Sequence, residues 1–198
     1  MPQLYVISGC NGAGKTTASY ALLPEMLGCS QFVNSDEFAK SLSPFSPDAV
    51  SIQASKLMLL KMNYLFKRNE DFAIETTLAT RSLKKTITKA RAQGYGITIL
   101  YFWLNSPELA VERVRGRVAA GGHNIPEETI RRRYMAGLHY FFNIYRNMAD
   151  RWILADNSQI PFRVVAEGQA GRLTIKDEQT YSKIQELADF AEKSLSGE

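Results

Sequence analysis

A chain of 198 residues, 45% hydrophobic and 22% charged, has the make-up of one globular domain large enough for a proper core, with room for a small appendage. Its formal net charge of +4 favours anionic ligands but is too mild to imply nucleic acid. Two cysteines, Cys10 and Cys29, exclude a disulfide framework or a cysteine metal site; with no signal-like segment and no membrane-length apolar run, they point to reduced thiols in a cytoplasmic protein that does not engage a membrane.

Leu4-Tyr5-Val6-Ile7 predicts a first strand over Gln3–Ser8. It leads into Gly9-Cys10-Asn11-Gly12-Ala13-Gly14-Lys15-Thr16 and then a helix from Lys15 to about Leu27. The pattern G-x-x-x-x-G-K-[ST] between a strand and a helix is a P-loop. Glycines let the backbone turn tightly and aim successive N–H groups at phosphate oxygens, and the helix start adds its positive dipole end. Gly9, Asn11, Gly12, Ala13, Gly14, Lys15, Thr16 and Thr17 are therefore the expected nucleotide-binding residues. Lys15 should reach the β- and γ-phosphates, and Thr16 should hold magnesium, so ATP or GTP with Mg²⁺ is expected.

A short second strand, Gln31 to Asn34, ends at Ser35-Asp36-Glu37. After a proline-containing loop, a long helix starts near Pro47, with Val50, Ala54, Leu57, Met58, Met62 and Leu65 at helical spacing. Phe72-Ala73-Ile74 is a third strand, ending at Glu75-Thr76-Thr77, and Ser82 to Gln93 reads as a helix stopped by Gly94. Ile97 to Leu104 is a strand with no alternation, as expected when both faces are covered. Ser106-Pro107 opens a helix through Val118. A glycine loop, Gly121 to Pro126, leads to a helix from Pro126 to about Ala149. Trp152 to Ala155 is a fifth strand, ending at Asp156-Asn157-Ser158. Phe162–Ala166 and Arg172–Ile175 read as a hairpin, and Lys176 to Leu195 as a last amphipathic helix.

This order predicts an α/β fold: a parallel five-stranded sheet with helices on both faces, of the P-loop NTPase type, plus a C-terminal hairpin and helix. A kinase domain over 1–158, with an arginine-rich lid at about 113–133, and an appendage over 159–198 are the expected divisions. Ligands of such sheets lie beyond the carboxyl ends of the strands. The P-loop, Asp36, Glu75 and Asp156-Asn157 all fall there.

Asp36 reads either as the base that takes a proton from an attacking hydroxyl or as a helix cap. Glu75 reads as a magnesium or substrate ligand, with Thr76 and Thr77 beside the substrate, or as a cap for the next helix. Arg113, Arg115 and Arg117 face Arg131, Arg132 and Arg133 across the glycine loop. Such arginines neutralise charge on a transferred phosphoryl group, although some must simply be solvated. Arg117 and one of the later three, assigned as Arg132, are the catalytic candidates, and Arg113 is a further phosphate contact. His123 in the loop is a substrate candidate, and Asn157 a nucleotide-base contact.

Together, Gly9–Thr16, Asn34-Ser35-Asp36, Glu75-Thr76-Thr77 and the arginine lid with Gly121-Gly122-His123-Asn124-Ile125-Pro126 make the chain, over about Gln3 to Ser158, resemble the zeta-toxin family of P-loop kinases. The resemblance implies an ATP- or GTP-dependent phosphotransferase acting on a small-molecule hydroxyl. UDP-N-acetylglucosamine, the acceptor of characterised family members, is the implied acceptor class, and an antitoxin protein an implied partner. In that picture Lys15 and Thr16 match the nucleotide–magnesium residues, Asp36 the base, and Arg117 with an arginine of 131–133 the lid arginines. A nucleic-acid end kinase and a nucleotide switch without transfer remain the alternatives.

Overall fold

The computed structural model describes residues 1–122 and 124–196. Among the described residues seven strands form one sheet: β1 (Gln3–Ser8), β2 (Phe32–Val33), β3 (Phe72–Thr76), β4 (Gly96–Trp103), β5 (Arg151–Asp156), β6 (Arg163–Gln169) and β7 (Arg172–Ile175). Their order across the sheet is β2-β3-β1-β4-β5-β6-β7. The pairs from β2 to β5 are parallel, and those joining β5, β6 and β7 are antiparallel. The unbroken apolar runs mark the strands buried on both faces. Leu4 lies opposite Phe72 and Ile97, and all three are inaccessible to solvent.

The helices that accompany the sheet are α1 (Lys15–Met26), α2 (Ser35–Leu42), α3 (Ser51–Arg68), α4 (Leu83–Ala92), α5 (Pro107–Ala119), α6 (Glu127–Tyr140) and α7 (Glu178–Ser196). α2 is a helix the hydrophobic pattern did not announce. Its start is local chemistry: the Asn34 side chain accepts from the Asp36 N–H at 2.8 Å, so Asn34 is the cap and Asp36 belongs to the first turn. The long helix before β3 begins as a 3₁₀ turn, Pro47–Val50, and continues as α3. Ala54, Met62, Leu65 and Phe66 face the core, while Leu57, expected inside, is partly exposed.

The expected helix to about Ala149 is α6 followed by a π turn, Phe141–Tyr145, and a short 3₁₀ turn, Arg146–Met148. The aromatic run explains this ending. Phe141 stacks on Tyr101 at 4.7 Å and meets Trp152 edge-on at 5.7 Å, and the Tyr145 hydroxyl donates to the Thr80 carbonyl. The C-terminal hairpin continues the main sheet, pairing along β5 from Arg151 opposite Gln169 to Asp156 opposite Arg163. α7 buries Tyr181, Ile184, Ala188 and Ala191 at helical spacing. The carboxyl ends of β1, β2, β3 and β5 bring their following loops to one end of the sheet, where the sequence had placed the chemistry.

Candidate active site

The P-loop is held open by its glycines. Gly9 has φ +139°, and a Cβ there would lie 2.2 Å from the Phe102 carbonyl oxygen, so no other residue fits between β1 and β4. Gly14, at φ +77°, is the N-cap of α1, and a Cβ there would meet the Asn157 amide at 2.5 Å. That amide donates to the Ala13 carbonyl at 2.7 Å, clamping the P-loop to the loop after β5. Arg113 on α5 braces the same loop, its two terminal nitrogens donating to the carbonyls of Asn157 and Ser158 at 2.9 Å each. Asn157 and Arg113 thus act as supports of the loop here. Cys10 is buried, which pushes its thiol up to about 11 although Lys15 pulls the other way, so a neutral SH sits inside the loop.

Lys15 is buried, and its Nζ donates to the Cys10 carbonyl at 2.9 Å. It lies 3.7 Å from Glu75. The other Glu75 oxygen accepts from the Thr16 hydroxyl at 2.8 Å and from the Asn34 amide at 2.9 Å. Glu75 is not a helix cap: the next helix, α4, starts eight residues later at Leu83. It joins the P-loop, the end of β2 and the end of β3 in one network. Thr16 and Glu75 present adjacent oxygen donors beside the phosphate loop, a set that fits magnesium, which takes one or two protein oxygens and completes its shell with phosphate and water.

Beside this network lies a cleft of about 260 Å³, lined by Asn11, Lys15, Asn34–Asp36, Glu75–Thr77, Ile125 and Arg133. Asp36 lines it from the first turn of α2, at an exposed position. Thr76 keeps its hydroxyl engaged with the Leu78 N–H at 3.1 Å, supporting a turn in which Leu78 has φ +54°. From the three consecutive arginines of α6, Arg133 is the one that lines the cleft. It is half-buried and donates to the Asn11 side chain at 3.1 Å. Burial lowers its pKa, the charge of Arg132 adds to this, and the Asp36 carboxylate opposes both. A guanidinium so placed gains from a nearby anion.

Arg132 is exposed and is not a lining residue of the cleft, and Arg131 is tied to Glu108 and Glu127. Arg115 pairs with Glu127 at 2.7 Å. Arg117 lies in the last turn of α5, where its carbonyl accepts from the Gly122 N–H at 2.9 Å, and is not a lining residue of the cleft. Thr17 is exposed on α1. His123, a substrate candidate, lies outside the described residues. Sequence reasoning left out Asn34 as an active-site residue and did not single out Arg133. For Asn34 a signal was present, an Asn directly before a helical turn at the end of a strand.

The sequence model of the zeta toxin family matches residues 1–160. An uncharacterised protein of Haemophilus influenzae is 27% identical over 126 residues, covering 64% of this chain and 88% of that protein. The fold is similar to a chain of the AvrRxo1-ORF1:AvrRxo1-ORF2 crystal structure with sulphate ions, with a TM-score of 0.75, 17% identity and 93% of this chain covered. This chain spans 63% of that one. A chain from the PezAT chromosomal toxin–antitoxin system of Streptococcus pneumoniae gives a TM-score of 0.66 at 16% identity, covering 100% of this chain and 88% of its own. With a P-loop, a strand-end acid and an arginine of α6 gathered at one end of such a sheet, and a family match over most of its length, the chain belongs to the zeta toxin family of P-loop phosphotransferases.

Proposed function

We propose that this protein moves the γ-phosphoryl group of ATP or GTP to a hydroxyl of a small molecule, with a UDP-activated amino sugar as the acceptor class. The observation that carries the reading is the cleft itself: one hollow brings Lys15, Asp36, Glu75 and Arg133 to the mouth of the P-loop. In this reading Asp36 takes the proton of the acceptor hydroxyl as its oxygen forms the new bond to phosphorus and the bond to the bridging oxygen breaks. Lys15 and Arg133 neutralise charge on the phosphoryl oxygens and the leaving diphosphate. Asn34 and Lys15 hold Glu75 in place next to Thr16. A magnesium ion, if bound, would be held by Thr16 and Glu75 and would supply positive charge to the triphosphate. Arg117, in the last turn of α5, is assigned as a second phosphate contact.

An antitoxin is the protein partner we assign, because similar folds come from the PezAT toxin–antitoxin system and from the AvrRxo1-ORF1:AvrRxo1-ORF2 structure. We place the protein in the cytoplasm, where nucleotide and acceptor would meet. Among the described residues no helix is long and apolar enough to cross a membrane.

The test is a mass-spectrometric search of a metabolite extract for nucleotide-dependent gain of phosphate, with Lys15→Ala as the blank, followed by Asp36→Asn. Asn keeps the size of Asp but takes no proton. Nucleotide affinity by calorimetry should hold, while single-turnover transfer falls by roughly 10²–10⁴-fold. Full transfer by Asp36→Asn would remove the base assignment, and transfer only to oligonucleotide ends would make the enzyme a nucleic-acid kinase.

A further inference from the structure

The outer side of α3 is unusually apolar for a solvent-facing helix surface. Ile52 is 69% exposed, Leu59 58%, Leu60 64% and Tyr64 52%. At about 100° per residue these four fall within one half of the helix, opposite Ala54, Met62 and Leu65 in the core. Large aliphatic side chains clustered at an exposed surface mark an interaction site more often than chance.

The charge around them is one-sided. Of the chain's 24 basic residues, α3 and α4 together carry eight; of its 20 acidic residues they carry none. The rest of the chain is therefore net acidic. The two helices are neighbours: the Lys89 ammonium of α4 donates to Asn63 of α3 and lies 4.9 Å from the Phe66 ring. Arg68 and Arg91 meet carboxylates from outside the helices, Glu70 and Asp150. Lys56, Lys67, Lys84 and Lys85 are exposed and form no ion pair among the described residues.

We propose that the α3–α4 face is a docking surface for an acidic amphipathic helix of a partner protein. Four considerations select that occupant. A helix with leucine-like residues interspersed with carboxylates would cover Ile52, Leu59, Leu60 and Tyr64, its carboxylates meeting Lys56 and Lys67 within the stripe and Lys84 and Lys85 on α4. A second copy of this chain docking by the same face would set like charges against each other. Single-stranded nucleic acid needs a row of stacking rings, and this face offers aliphatic side chains with one tyrosine. A lipid surface favours a helix whose free face is apolar with lysines at its edges, whereas Lys56 and Lys67 sit within the stripe on the helix wheel. The inference does not depend on the transfer reaction. It does bear on it, because α3 packs against α2, which carries Asp36.

The experiment offers the full-length protein to a displayed library of random 20-residue sequences built on a helical leucine pattern. The expected result is enrichment of sequences rich in Glu and Asp. Their affinity should fall at least tenfold on Leu59→Asp or Leu60→Asp, and also on combined Lys56→Glu, Lys84→Glu and Lys85→Glu. Nucleotide affinity and the thermal midpoint of each variant serve as the folding control, and Leu59→Gln supplies a milder substitution if Leu59→Asp fails to fold. Selected sequences without acidic bias, binding that ignores these substitutions, or no selected binder would each overturn the proposal. Tighter binding of phosphatidylglycerol vesicles or of a single-stranded RNA oligonucleotide through the same residues would overturn it in favour of that partner.

Discussion

Lys15 and Arg133 are cations that the fold brings to the same hollow, and they should fail differently when removed. Lys15 is already built into the P-loop, so Lys15→Ala leaves the loop's backbone donors in place while removing a charge-assisted phosphate contact of about 1.5–3 kcal/mol in binding. Transfer should lose more than binding, because charge moves onto the leaving group in the transition state. Calorimetry with ATP and single-turnover kinetics on the same variant measure the two losses. Unchanged turnover would remove Lys15 from the mechanism. Arg133→Ala should lower kcat by roughly 10²-fold, the usual cost of losing a positioned donor at developing charge. Arg132→Ala, at an exposed position outside the cleft, should change it by less than about threefold, since surface substitutions are commonly worth under 0.5 kcal/mol. A larger effect from Arg132 than from Arg133 would mean that the lid turns α6 before transfer.

At the scale of elements, the approach of α6 to the sheet decides where Arg133 points. Gly137, one turn further along α6, is the contact point: a Cβ there would lie 2.6 Å from the Thr77 carbonyl oxygen and 3.2 Å from the Tyr101 hydroxyl. Gly137→Ala should therefore overpack this junction by about 1–3 kcal/mol. It should also move Arg133 off Asn11, so a lower melting temperature and slower transfer are expected together. Gly116 on α5 provides the contrast. A Cβ there meets nothing within 4 Å, and replacing an exposed mid-helix glycine by alanine should stabilise by about 0.5–1 kcal/mol. Thermal unfolding of the two variants should shift in opposite directions; a downward shift for both would mean that Gly116 has a neighbour in solution. The cap of α2 is a third local device. Asn34→Ala removes the acceptor for the Asp36 N–H and one donor to Glu75, so it should cost about 1 kcal/mol as a lost cap and also weaken nucleotide binding.

For the whole molecule, the relevant fact is that the C-terminal hairpin and helix share the sheet and the core of the rest. β6 covers the full length of β5, and Ile184 and Ala188 of α7 are completely buried. We propose that residues 159–198 unfold together with the kinase domain. Calorimetry should then give one transition whose van't Hoff and calorimetric enthalpies agree. Ile184→Ala should lower the stability of that single transition by about 2–5 kcal/mol. Two resolved transitions, with only the minor one shifted by Ile184→Ala, would make the C-terminal segment a separate unit.

The chain's own order of residues determined the phosphate chemistry, because a P-loop is local. Eight consecutive residues, Gly9 to Thr16, contain the turn, the donors and the lysine, and the flanking apolar run and helix are contiguous with them. The strands were legible for a similar reason: strands covered on both faces need apolar runs without alternation, such as Leu4–Ile7 and Ile99–Leu104. What α3 buries was legible in part: the helical spacing put Ala54, Met62 and Leu65 on the inner face, where they lie, but it also put Leu57 there, which the packing leaves partly exposed. The lid arginines were undecidable. Arg131, Arg132 and Arg133 point about 100° apart around one helix, so at most one can face the cleft. The choice of Arg133 depends on Gly137 letting α6 settle against Thr77, and on Asn11 standing opposite it, 122 positions earlier in the chain. Likewise the Thr16–Glu75 contact joins residues 59 apart, and it exists because the tertiary structure pairs β1 with β3.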